Sequence, residues 1–92
     1  SISIRNGTGE TGLATKFSKY LNKKCYETYP GNFDNNNVSY TFIQVDRKNS
    51  TIAKELKKIL GKDDIKIQYK EPVWDITLVI GKDYKNLNYE IE

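Results

Sequence analysis

The chain is predicted to be an α+β two-layer sandwich, with a mixed four- or five-stranded sheet and two helices on one face. Three observations predict this. Short runs such as Ile2/Ile4 and Ile65/Ile67/Tyr69 alternate apolar with polar residues, the period of a half-buried strand. Two longer stretches repeat instead at helical spacing. Glycine, proline and asparagine punctuate the boundaries. With 92 residues the chain has material for one such core.

Taken in order, Ser1 to Arg5 reads as the first strand, and the glycine-rich turn Gly7-Thr8-Gly9 follows it. From Glu10 a helix is predicted, with Leu13, Ala14, Phe17, Tyr20 and Leu21 as its buried stripe and Lys16, Lys19 and Lys23 opposite. Glu10 is expected in the first turn and Lys23 and Lys24 in the last, as the helix dipole prefers. Cys25 to Tyr29 is rich in strand formers and is closed by Pro30-Gly31. Asn32 to Asn37 is expected to be an exposed loop. Val38 to Val45 reads as the next strand, forming an antiparallel hairpin with its predecessor.

Asn49-Ser50 supplies an N-cap. The second helix is predicted to bury Ile52, Ala53, Leu56, Ile59 and Leu60 and to end at Gly61, with Lys54, Lys57 and Lys58 in solvent. Ile65 to Lys70 reads as a strand with one wet face, broken by Pro72. Ile76 to Ile80 is a nearly continuous apolar run, which predicts the central strand. Lys85 to Glu92 reads as polar, with a weak extra strand at 89–91. The predicted order is therefore β-α-β-β-α-β(-β).

Composition narrows the chemistry. Histidine is absent and Cys25 is the single cysteine, so no internal disulfide, Cys/His zinc site or His-based catalytic triad can form. The net charge is +3, and lysine dominates the basic residues. This surplus reads either as a surface for an anionic partner or as a compositional bias of a Lys-, Asn- and Ile-rich chain. No apolar run approaches the roughly 20 residues that span a bilayer. No methionine occurs either, so the chain is expected to be either a cut piece or a processed product, with room for a signal peptide or membrane anchor before it.

Gly7-Thr8-Gly9-Glu10-Thr11-Gly12 matches G-x-G-x-x-G between a strand and a helix. A dinucleotide site would need a second crossover helix after the second strand and an acid at that strand's end. Here an Asn-rich loop follows instead, and Asp34 lies inside it. The glycines are better explained as a tight strand-to-helix turn, with Asn6 satisfying free backbone groups and Gly12 letting the helix pack on the sheet. A carboxylate or phosphate at the helix N-terminus is a lesser reading. Asp63, Asp64, Asp75 and Asp83 read as ordinary turn and strand-end residues, so no catalytic set, metal site or cofactor is expected.

The strand ending Asn6-Gly7-Thr8-Gly9, the following Gly12-Leu13-Ala14, and the late Val79-Ile80-Gly81-Lys82-Asp83-Tyr84 together resemble the LytR C-terminal domain. That domain follows the catalytic domain of LytR-CpsA-Psr envelope proteins or stands alone behind a membrane anchor. The similarity covers roughly Ser3 to Leu87, giving an expected domain at 1–87 and a polar tail at 88–92. It implies an extracytoplasmic, non-enzymatic accessory module. The motif residues, Asn6, Gly7, Thr8, Gly9, Gly12, Leu13, Ala14, Gly81, Asp83 and Tyr84, are expected to define the fold. Cys25 departs from the glycine frequent at that turn, and Asn32 to Asn37 replaces a short acidic turn.

The resemblance and the charge together point to binding of peptidoglycan, an anionic wall polymer or another envelope protein. The candidate surface is Lys16, Lys19, Lys23, Lys24, Lys54, Lys57 and Lys58. Two alternatives stand beside it: a single-stranded RNA-binding βαββαβ domain using Tyr40 and Phe42, and a purely structural or dimerisation domain. No nucleic acid is expected, and a membrane only through an anchor outside this chain.

Overall fold

The computed structural model describes residues 1–70 and 76–89. Its elements run β1 (Ile2–Asn6), α1 (Leu13–Lys23), β2 (Thr28–Asn32), β3 (Phe42–Val45), α2 (Ser50–Leu60), β4 (Lys66–Tyr69) and β5 (Ile76–Ile80), with short 3₁₀ turns at Arg47–Asn49 and Tyr84–Asn86. The sheet order is β2-β1-β5-β3-β4. β1 pairs in parallel with β2 and β5, β3 in parallel with β4, and β3 antiparallel with β5. The predicted mixed sheet and two helices are therefore present, and Ile76–Ile80 lies at its centre.

Alternation decides which face is covered. Ile2, Ile4, Ile43, Val45, Ile76, Leu78 and Ile80 share one core with Leu13, Phe17 and Leu21 of α1 and with Ala53, Leu56 and Leu60 of α2. Both helices thus lie on one side of the sheet, joined where the Tyr20 hydroxyl donates to the Ile59 carbonyl at 3.0 Å. The opposite face carries Ser3 and Arg5 from β1, Thr77 and Val79 from β5, and Phe42 and Gln44 from β3.

Several boundaries differ from the expectation. β2 spans Thr28–Asn32, so Pro30 and Gly31 lie inside a strand that they were expected to close. β2 is an edge strand, and there a missing N–H costs no ladder bond. It also pairs with β1 and not with β3, so the expected hairpin does not form. α1 has to cover Ile2 and Ile4, and this crossover delivers β2 alongside β1 in parallel.

The segment between β2 and β3 then crosses the end of the sheet. Phe33 N–H donates to the Asn6 carbonyl (3.0 Å), Val38 N–H to the Gly7 carbonyl (2.9 Å), and Lys82 N–H to the Val38 carbonyl (2.8 Å). This strap consumes Val38 to Thr41, which were read as strand. Asn49 is the N-cap residue of α2, as expected, but its side chain makes no cap bond; the capping side chain is Asp46, one 3₁₀ turn earlier. Its carboxylate accepts from the Asn49 backbone N–H (3.0 Å) and side-chain amide (2.7 Å), which seeds the 3₁₀ turn into α2. Gly61, at φ 75°, ends α2 as predicted.

Leu87 is buried, and Tyr89 stacks on Phe17 with ring centroids 4.6 Å apart. Asn88 N–H donates to the Leu60 carbonyl at 2.8 Å. Residues 84–89 therefore pack over both helices, where a polar segment was expected. Tyr89 is in no strand. The rest of the expected strand at 89–91, together with Pro72 and Asp75, lies outside the described residues.

Candidate functional site

Asn6 is the last residue of β1 and alternates with Ile2 and Ile4, so its side chain points beneath the turn toward the helical layer. It is only 5% exposed, and both ends of its amide are engaged. The Oδ1 accepts from the Thr8 backbone N–H (3.0 Å) and hydroxyl (2.6 Å), and the Nδ2 donates to the Glu10 carbonyl (2.6 Å). The Thr8 hydroxyl in turn accepts from the Glu10 N–H at 3.0 Å. The bonds within the loop thus join Asn6, Thr8 and Glu10 into one polar unit.

Gly12 was expected from the sequence to let the helix pack closely on the sheet, and it does not. It is exposed, with nothing within 4 Å of a Cβ built there. It is instead the residue before α1, held at φ 90°, a left-handed conformation that disfavours every residue with a Cβ. Glu10 consequently precedes the helix, and the first turn carries no acid. A hollow of about 130 Å³ between the start of α1 and the end of β2 is lined by Asn6, Gly12, Thr15, Pro30 and Asn32 among others. Asp34 lies beyond β2 and is exposed.

The late motif converges on the same end of the sheet. Gly7 N–H donates to the Ile80 carbonyl at 2.9 Å, tying β1 to β5. A Cβ on Gly81 would stand 2.5 Å from the Tyr40 carbonyl carbon and 2.7 Å from the Thr41 nitrogen, so the strap passes where only glycine leaves room. Asp83 Oδ1 accepts from the Thr41 N–H (2.9 Å) and hydroxyl (2.7 Å), and that hydroxyl accepts from the Gly81 N–H (2.9 Å). The Glu10 carboxylate, hydrogen-bonded to the Tyr84 hydroxyl, raises that phenol above its usual value. Asn6, Gly7, Thr8, Gly9, Gly81, Asp83 and Tyr84 are thus one assembly holding strap, strands and helix entry, while Leu13 and Ala14 anchor α1 in the core. Sequence reasoning missed Thr41, which takes part in three of these bonds, because nothing in its local pattern marks it.

The lysines sit elsewhere. Lys16, Lys19, Lys23, Lys24, Lys54 and Lys58 are exposed on the solvent sides of α1 and α2, and Lys57 is half-buried. Segments 13–24 and 50–60 hold these seven lysines and one acid, Glu55, a net of +6. Because the chain totals +3, all remaining residues together carry −3. Glu55 is itself engaged, accepting from the Tyr26 hydroxyl at 3.0 Å. Lys24 Nζ lies 5.6 Å from the centre of the Tyr20 ring, at the seam between the helices. Seven of the thirteen lysines and one of the twelve acids fall in these two segments.

Among the described residues no cluster of three or more His, Cys, Asp or Glu could hold a metal ion, and no helix is long and apolar enough to cross a membrane. Cys25 is exposed, and Asp64 is paired with Lys62 at 2.7 Å. The hydrogen bond to Lys62 holds the Asp64 carboxyl below its usual range. Compared with known proteins, residues 1–84 match the family described as LytR cell envelope-related transcriptional attenuator. Neither the curated proteins nor the solved structures return a match.

Proposed function

This chain belongs to the LytR cell envelope-related transcriptional attenuator family, whose domains are accessory parts of cell-envelope proteins, and from that premise we propose a non-catalytic module that binds an anionic wall polymer through its helical layer. The observation that carries the reading is the segregation of charge, +6 on the helices against −3 elsewhere. Lysines on two adjoining helices present mobile point charges to a flexible polyanion and demand no fixed geometry from it. The polymer class is set by location. A domain on the outer side of the membrane meets peptidoglycan and its attached acidic polymers. It would be held there by an anchor elsewhere in its protein.

The motif assembly supports the accessory role, because its polar groups are engaged with one another. A base-stacking sheet draws on aromatics of its middle strands; here β1 and β5 turn Ser3, Arg5, Thr77 and Val79 to the open side, and the aromatics on that side, Phe42 and Tyr40, stand on β3 and on the strap, toward one edge. The test is retention on purified sacculi that carry their anionic polymer, comparing the wild type with a variant in which Lys16, Lys19, Lys54 and Lys58 are changed to glutamate. Retention of the wild type that weakens with added salt and is lost in the variant is expected. Equal retention of both proteins, or of neither, would sink the lysine surface.

A further inference from the structure

The open face of the sheet carries a second feature, remote from the lysines. Beside the edge strand β4 lies a cavity of about 240 Å³ lined by Tyr40, Thr41, Phe42, Lys66 and Gln68. Register explains the grouping: Phe42 pairs with Lys66 and Gln44 with Gln68, so all four project from the face that the helices leave bare. The strap adds Tyr40, whose side chain stands clear of the fold at 75% exposure. Phe42 is held in place from behind by Phe33, edge to face at 6.1 Å. Gln68 is oriented by the Gln44 amide, which donates to its Oε1 at 2.8 Å, and this turns the Gln68 amide nitrogen to donate elsewhere.

We propose that this cavity binds one carboxylated sugar unit of a wall glycan. The chemistry is a match of three groups. The Phe42 and Tyr40 rings offer apolar surface for the C–H face of a sugar ring. Gln68 donates to a hydroxyl or an acetamido carbonyl. Lys66 supplies the cation for a carboxylate, and among the described residues no carboxylate lines the cavity. The volume lies below the roughly 300–1,000 Å³ of sites for drug-sized ligands, which fits one ring and not an oligomer. Thr41 contributes shape only, since its hydroxyl and N–H are committed to Asp83 and Gly81. The choice of a glycan over a nucleotide rests on the envelope reading above.

The ¹⁵N-labelled protein, titrated with N-acetylmuramic acid, neutral N-acetylglucosamine and uridine monophosphate, tests this assignment. Saturable shifts confined to the amides of residues 40–42 and 66–68 are expected with the carboxylated sugar, and binding about fivefold weaker with the neutral one. Lys66→Met should abolish that difference, and Tyr40→Ala should abolish the shifts; both side chains are exposed, so neither change threatens folding. Shifts elsewhere, equal affinity for the two sugars, or tighter binding of the nucleotide at these amides would overturn the proposal. If Tyr40→Ala and Lys66→Met leave the shifts unchanged while the helix-lysine variant loses sacculus retention, this inference fails and the functional reading stands.

Discussion

Cys25 has φ 72° and is the one residue other than glycine with a positive φ among those described. It follows α1 as Gly61 follows α2. Behind each, the next N–H reaches back into the last turn: Tyr26 to the Leu21 carbonyl at 3.1 Å, and Lys62 to that of Lys57 at 3.2 Å. One helix end has the residue suited to that geometry and the other does not. Cys25→Gly is expected to stabilise the protein by about 1 kcal/mol, raising Tm by about 4–8 °C in a thermal melt. A fall in Tm would refute it. Asp83→Ala removes the shared acceptor of two Thr41 donors, and a loss of about 2 kcal/mol in chemical denaturation is expected. Asn6 was legible from sequence because a tight turn restricts residue type. Gly12 was singled out for close packing but serves through its φ of 90°, and Gly81 was marked by the resemblance and not by the crossing it makes room for. Thr41 was not legible, since its partners lie 40 and 42 residues away in the chain.

At the scale of elements, both helices and the central strand were readable because each carries its own period. Pairing was not. Nothing local in Thr28–Asn32 distinguishes a parallel edge strand from half of a hairpin, and Pro30-Gly31 reads as a stop unless the strand is known to lie at an edge. The strap misled for the opposite reason. Val38 and Tyr40 are good strand formers, yet Val38 donates to the Gly7 carbonyl and accepts from the Lys82 N–H, outside any ladder. Contacts between elements also set a pH dependence at the helix seam. Burial first, and then the hydrogen-bonded Glu55 carboxylate, raise the Tyr26 phenol above 10.0. A raised folded value means that the stabilisation is complete below pH 10.0 and is lost as pH rises through the folded pKa. Alkaline spectrophotometric titration of Glu55→Gln should move the Tyr26 midpoint down, part of the way to its usual value. An unchanged midpoint would show that Glu55 has no part in the shift.

For the whole molecule, the sheet is joined through its middle by residues from opposite ends of the chain. Ile2–Asn6 lies between β2 and β5, so its removal would strip pairing from both neighbours and expose Leu78 and Ile80. Deleting residues 1–6 is expected to abolish cooperative unfolding altogether. A sharp thermal transition in the truncated protein would contradict that. The same pairing dictates an order of events in folding. The two helices can form early from local contacts, but the Ile2/Ile76 to Asn6/Ile80 ladder must wait until more than 70 intervening residues have been made and looped back. During synthesis the first strand is therefore the last to find its central partner. It spends that interval as an exposed apolar edge, at which a nascent chain is most open to misassociation.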